Sequence, residues 1–311
     1  MKKNPLVYII LPVYNWEKYF LEQLMSIYHQ TFTNRFLIIV NDGSKDSSED
    51  IAKQFIEDYS LYDKVKILKK ENWGLNSAIQ RWLEEIKKMC DVNKSNSLIS
   101  YCDCDDIWTK NKLSVQVEYM TQHPECGLLY HNLYLINEHW ELLQSSFCWN
   151  YHNGDFLYIT TMWICCVAWT IVFRSKYIDN ILPLPTQQWM AQDAWTIFVL
   201  SLLKIEIHYL NKNLSYYRKL WNWLQSSLES KPKSVQNNIR FNYFLALEKR
   251  YPSKDVSYVK KYIYDRFIKW YGKWYSLLRI YLLMLFKYPK IFFLWIKSFI
   301  CREISRYKSI N

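Results

Sequence analysis

Four short apolar runs, each followed by a segment of helical periodicity, occupy about the first hundred residues, and this alternation admits few folds. Residues 6–11, Leu-Val-Tyr-Ile-Ile-Leu, form a continuous apolar run suited to a strand in a parallel sheet covered on both faces. Residues 17–30 read as a helix, 36–40 as a second strand, and a second helix runs to about Tyr59. A third strand over 65–68, a third helix over 76–89 and a fourth strand over 98–101 complete the series. Such alternation implies right-handed crossovers and a doubly wound sheet, in which ligands bind beyond the carboxyl ends of the strands. Residues 12–15, 41–46 and 103–106 lie at those ends, so side chains far apart in sequence are expected to share one crevice.

The fourth strand runs directly into Asp103, Asp105 and Asp106. Carboxylates so crowded raise one another's pKa unless a cation compensates them, and hard oxygen ligands favour Mg²⁺ or Mn²⁺. An Asp-x-Asp step in extended chain also places two carboxylates on one side of the backbone, a geometry suited to one metal shared with a diphosphate. An acidic turn leading into the helix that begins near Lys110 explains the triplet equally well. Asp42 has two readings as well. It is a cap or Asx-turn residue ahead of the next helix, with Asp46 as N-cap, or it accepts a hydrogen bond from a base or a ribose. Pattern alone favours the former slightly.

Taken together, Pro12-Val13-Tyr14-Asn15, Asn41-Asp42-Gly43-Ser44-x-Asp46, Asn72-x-Gly74-x-Asn76 and Cys102-Asp103-x-Asp105-Asp106-Ile107-Trp108 resemble, in order and spacing, family 2 glycosyltransferases. The similarity covers about residues 5–225 and is greatest to the rhamnosyltransferase-like branch of polysaccharide biosynthesis. It implies an α/β chain of the GT-A fold, a Rossmann-like doubly wound mixed sheet, with a C-terminal helical extension. It also implies a nucleotide-sugar-binding half over 1–108 and an acceptor half over 109–230. By the same resemblance Pro12, Tyr14, Asp42, Gly74, Asn76, Asp103 and Arg218 contact the donor, and Asp105 binds Mg²⁺ or Mn²⁺. The implied partners are a nucleotide diphosphate-sugar and a glycan or lipid-linked acceptor.

In the second half, residues 127–131 and 133–136 read as strands, followed by a turn over 137–140 and a strand over 141–144. Another strand is expected over 170–174, and Ala191-Gln192-Asp193-Ala194-Trp195 opens a helix to about Leu203. An acid at a helix start is ordinarily a cap. The resemblance makes Asp193 the general base that inverting transfer requires. In many relatives a His follows the arginine matched by Arg218, whereas Leu220 stands near that place here, which leaves the metal without an assigned third protein ligand.

The formal net charge of +11 is unevenly placed: from Arg250 onward there are 14 basic and 3 acidic residues, and the rest of the chain is balanced. Residues 231–311 read as a basic helical tail with interleaved aromatics, suited to an anionic membrane surface. Its longest apolar run, 280–286, falls well short of the ~20 residues of a spanning helix. Basic residues are not concentrated around the crevice, so a nucleic-acid partner is not expected. The rival readings are a non-catalytic sugar-nucleotide-binding relative and a basic nucleic-acid-binding protein. Eight scattered cysteines and no secretory leader suit reduced thiols and a cytoplasmic location on the inner face of the membrane.

Glycine and tryptophan counts are anomalous. The chain holds 5 Gly and 15 Trp, against about twenty Gly for an average chain of this length. Trp16, Trp73 and Trp140 occupy turn-like contexts, where positive φ comes easily to Gly and not to Trp. One reading accounts for both counts: the gene uses UGA for glycine, and the sequence was translated with UGA as tryptophan. The other is an aromatic-rich protein with drifted loops. Trp108 and Trp195 match tryptophans of the resembling family and fit either reading.

Overall fold

The computed structural model describes residues 4–69, 74–89, 96–146, 168–185, 192–220, 246 and 249–251. The chain divides into two compact units, Met1–Ser230 and Lys231–Asn311. Nearly all of the expected helical tail, together with Asn72 and Trp73, lies outside the described residues. Among the described residues no helix is long and apolar enough to cross a membrane.

The first unit opens with β1 (Val7–Val13), α1 (Glu17–Tyr28), β2 (Arg35–Asn41), α2 (Ser48–Asp58), β3 (Val65–Lys69), α3 (Leu75–Met89) and β4 (Leu98–Tyr101). Strand β1 pairs in parallel with β2 on one side and with β4 on the other, and β2 pairs in parallel with β3. The chain therefore reverses its winding between β1 and β4, and the loops that leave these two strands open a crevice at their carboxyl ends. Burial explains why the strands were legible: Val7, Ile9 and Leu11 pack one face with Phe20, Leu24 and Phe55, while Tyr8 and Ile10 are buried on the other. Phe20, Leu24 and Ile27 are spaced to line one stripe of α1.

The second half contributes β5 (Ile107–Trp108), α4 (Lys112–Gln122), β6 (Cys126–Ile136), β7 (Leu142–Gln144), β8 (Val172–Arg174), α5 (Ile178–Ile181), α6 (Gln192–Leu202) and β9 (Glu206–Arg218). The sheet order is β3-β2-β1-β4-β8-β6-β9-β5, with β7 paired to β6. Strand β8 is antiparallel to both β4 and β6, and β9 runs parallel to β6, so the sheet is mixed. One expectation is corrected. The strands read over 127–131 and 133–136 are one strand whose pairing with β9 shifts register at His131/Asn132. The two residues of β5, too short to show periodicity, pair with the far end of β9.

The turn between β6 and β7 shows what a tryptophan meets in a glycine position. Trp140 N–H donates to the Asn137 carbonyl at 3.3 Å, and the Asn137 side chain accepts from the amides of His139 and Glu141. Trp140 closes this turn at φ +67°, the left-handed conformation that hairpins of this kind reserve for glycine. Trp16, by contrast, has φ −121°, which any residue adopts. Trp140→Gly is therefore expected to be about 1 kcal/mol more stable than Trp140→Ala. Both substitutions remove the ring, and only glycine removes the strain. Equal urea midpoints for the two variants would show that the turn carries no such strain.

Candidate active site

The segment between β4 and β5 keeps the alternation of an extended chain. Cys102 and Cys104 are buried in the core, and Asp103 and Asp105, which alternate with them, stay partly open. The thiols anchor the loop: Cys104 Sγ donates to the Pro12 carbonyl at 2.8 Å, tying the loop to the tip of β1, and Gln23 of α1 donates to Cys102 Sγ. Asp106 breaks the alternation and turns inward. Its Oδ1 accepts from the Arg218 amide at 3.1 Å, and its buried Oδ2 has no partner among the described residues.

Burial raises the Asp103 carboxyl well above the usual carboxylate range, and the charges of Asp105 and Asp193 raise it further. Burial pushes Asp105 up to about 6, against the pull of its own amide and of Arg218. Asp106 is likewise raised, by burial first and by Asp105 and Asp103 next. Among the described residues no lysine or arginine is ion-paired with these carboxylates. The partly open carboxylates of Asp103 and Asp105 are hard oxygen donors of the kind that fits a divalent ion.

Arg218 is the nearest cation, and its guanidinium is committed elsewhere. It pairs with Glu22 at 2.5 Å, donates from Nε to the Asp105 carbonyl at 3.1 Å, and lies 4.7 Å from the Tyr19 ring centroid and 5.2 Å from that of Trp140. It holds the acidic loop in place while leaving the Asp105 carboxylate unpaired. Sequence reasoning missed Glu22, Gln23 and Ser26 of α1. Ser26 Oγ accepts the Trp108 amide at 3.2 Å, so with Tyr19 these residues form the face of α1 that fastens the loop. The signal was present as polar side chains at helical i, i+3, i+4, i+7 spacing. Lys112 was also missed. It is fully buried with Nζ 3.7 Å from the Trp108 ring centroid and 2.9 Å from Gln116 Oε1, and burial lowers it to about 7.

The tip of β2 lies beside that of β1, where the Asp42 amide donates to the Val13 carbonyl at 3.0 Å. Asp42 is 6% exposed, and its Oδ2 accepts the Gly74 amide at 3.1 Å. Its neighbour Asn41 makes an Asx-type bond, its Oδ1 accepting from the Ser44 amide, and Ser47 stands at the cap position of α2. Asp46, expected as that N-cap, does accept the Ser48 amide at the start of α2, and with its other oxygen it accepts the Glu17 amide of α1, joining the two helices. Gly74 needs its glycine, with φ +91°. Asn76 Nδ2 donates to the Pro185 carbonyl at 2.9 Å, bracing α3 against the loop after α5. Tyr14 stands at the rim, 42% exposed.

Asp193 lies in the first turn of α6. It accepts the Ala194 amide at 2.7 Å, and burial raises its carboxyl to about 6, against the pull of the Ala194 and Ala168 amides. Its charge is felt by Asp103 and by Tyr101, whose hydroxyl lies 3.1 Å from Thr196 of the same helix. The start of α6 thus packs against the end of β4 through Tyr101 and Thr196, and the helix-start acid lies within electrostatic reach of the acidic loop.

Residues 8–180 match the family model described as Glycosyl transferase family 2. An uncharacterized glycosyltransferase of Rickettsia prowazekii is 37% identical over 125 residues, which are 39% of this chain and 35% of that protein. The glycosyltransferase GlyA of Streptococcus pneumoniae is 26% identical over 222 residues, 68% of this chain and 30% of its own length. The chain thus spans about a third of these relatives. Among solved structures, Staphylococcus aureus TarS 1–349 in complex with UDP-GlcNAc aligns with a TM-score of 0.60 at 19% identity, covering 84% of this chain and 71% of that one. A mannosyltransferase of Pyrobaculum calidifontis, in complex with GDP-Man and Mn²⁺, aligns with a TM-score of 0.52 at 16% identity, covering 70% and 57%. These likenesses establish the GT-A fold.

Proposed function

Because the chain belongs to glycosyl transferase family 2, we propose that it moves a sugar, with inversion, from a nucleotide diphosphate-sugar to a hydroxyl of a glycan or lipid-linked acceptor. The observation that carries the reading is the 3.1 Å hydrogen bond between Tyr101, two residues before Asp103, and Thr196, three residues after Asp193, which supports a proton acceptor near the loop proposed for the diphosphate. That two neighbours were solved with UDP-GlcNAc and with GDP-Man supports the donor class.

In this reading Asp193 accepts the proton of the acceptor hydroxyl as its oxygen attacks the anomeric carbon. The bond from that carbon to the phosphate oxygen breaks, and the nucleoside diphosphate leaves with the electron pair. Asp42, with Gly74 drawn against it, and Pro12 and Tyr14 at the tip of β1 form the nucleotide end of the crevice. Asp103 faces the donor ribose, Asn76 shapes the wall through its bond to Pro185, and Arg218 serves the donor indirectly by fixing the acidic loop. Asp105 would hold Mg²⁺ or Mn²⁺, which would stabilise the charge developing on the departing diphosphate. The basic tail supports an acceptor presented at an anionic membrane surface.

A thermal-shift screen of UDP-, GDP- and dTDP-sugars, with and without Mn²⁺, tests the reading. Stabilisation that requires both donor and metal, with nucleoside diphosphate released when acceptor is added, is the expected result. Stabilisation without turnover on any acceptor would identify a non-catalytic sugar-nucleotide binder, and no response to any donor would overturn the proposal.

A further inference from the structure

We infer that His123, Glu125 and His208 form a second metal site, for a zinc-class divalent ion, at the edge of the sheet opposite the acidic loop. Strand β6 is antiparallel to β8, which is antiparallel to β4, so β6 and its parallel neighbour β9 run in the same direction as β4. His123 and Glu125 immediately precede β6, and His208 lies near the start of β9. They therefore sit where β4 begins, away from where it delivers Asp103 and Asp105.

The ligand atoms of the three side chains lie within 4.8 Å of one another. His123 Nδ1 and Glu125 Oε1 are 3.0 Å apart, already close to the about 3.3 Å edge of a tetrahedron with zinc–ligand bonds near 2.0 Å. All three keep part of their surface open, so a small rotation of the His208 or His123 ring closes the set. A second carboxylate is at hand, Glu206 Oε2, 3.2 Å from His208 Nε2.

Two features make this more than a surface cluster. The Tyr119 hydroxyl lies 3.1 Å from His208 Nδ1. When Nδ1–H donates to that oxygen, the tautomer is fixed with the Nε2 lone pair directed at the carboxylates, which is how an outer partner prepares a metal-binding imidazole. The backbone is also braced. Buried Arg174 holds the carbonyls of Met120 and His123 with Nη2, at 2.7 and 3.0 Å, and that of Cys126 with Nε at 2.8 Å. The turn carrying His123 and Glu125 is thereby tied to β8 on one side, and the parallel pairing Cys126↔Glu206 and Leu129↔His208 sets β9 beside it.

The donor types separate this site from the acidic loop. Two imidazoles and a carboxylate select Zn²⁺ and its borderline neighbours, whereas carboxylates alone select Mg²⁺ and Mn²⁺. An ion here would staple the end of α4 to β9 and stabilise the second half of the sheet without touching the reacting groups.

The test is a titration of the full chain with Zn²⁺ in excess Mg²⁺, read by calorimetry, with Co²⁺ as a spectroscopic probe. Wild type and Asp105→Asn should each take up one ion with micromolar or tighter affinity and give the intense visible bands of four-coordinate Co²⁺. His123→Ala and His208→Gln should weaken binding at least tenfold and lose the bands, with circular dichroism confirming that both are folded. Zn²⁺ affinity unchanged in both histidine variants, or no wild-type binding tighter than millimolar, would overturn the inference.

Discussion

Asp193→Asn should bind the donor as wild type does and transfer sugar about a hundredfold to ten-thousandfold more slowly, the range associated with loss of a general base. The substitution keeps the volume and one acceptor oxygen for the Ala194 amide, so the start of α6 should hold its place. Donor affinity by calorimetry and turnover by nucleoside diphosphate release separate the two effects. Because burial places the Asp193 carboxyl at about 6, wild-type turnover should fall about tenfold per pH unit below about pH 6 and level off above it. The variant should lack that limb. Turnover equal to wild type would remove Asp193 from the mechanism and leave it the helix-start role that its amide contacts also support.

Asp105→Asn should have opposite effects on function and on stability. Metal-dependent donor binding should be lost, because the partly open carboxylate of the loop is replaced by a neutral amide. The metal-free protein should nonetheless become more stable at neutral pH, because a carboxylate held against burial and beside Asp103 and Asp106 is removed. The sign follows from linkage. Asp105 and Asp193 sit at about 6 in the folded chain against a usual 3.8, so the folded state retains protons that the unfolded chain has released. The stability tied to those protons is complete below about pH 4 and is lost as pH rises through about 6. Metal-free wild type should therefore gain stability from these groups on acidification from about pH 7.5 to about pH 5, and the gain should shrink in Asp105→Asn. A variant that still showed Mn²⁺-dependent stabilisation by donor would place the ion elsewhere.

The strand tips were legible because burial on both faces of a parallel sheet demands unbroken apolar runs. The runs recognised at 6–11, 36–40, 65–68 and 98–101 are the cores of β1, β2, β3 and β4. The alternation after β4 was legible for a related reason: two-residue periodicity sends Cys102 and Cys104 inward and leaves Asp103 and Asp105 partly exposed. Strand β5 was not legible, since its two residues are specified by pairing with β9 and not by a pattern of their own. Asp42 showed the limit of local rules. Turn chemistry offered it a cap or an Asx turn, and no local pattern records that its Oδ2 also accepts the amide of Gly74, 32 residues along the chain.

What the sequence by itself determined was the alternation, the sheet it implies and the polar residues delivered to its carboxyl edge, all consequences of short-range periodicity and burial. What only the tertiary structure decided was how these residues divide their work. Arg218, expected on the donor, is held by Glu22, the Asp105 carbonyl and two aromatic rings, and Lys112 is buried beneath Trp108. His123 and His208 meet only because β6 and β9 pair in parallel. Long side chains reach partners far along the chain, and no local pattern records which partner the packed fold will set beside them.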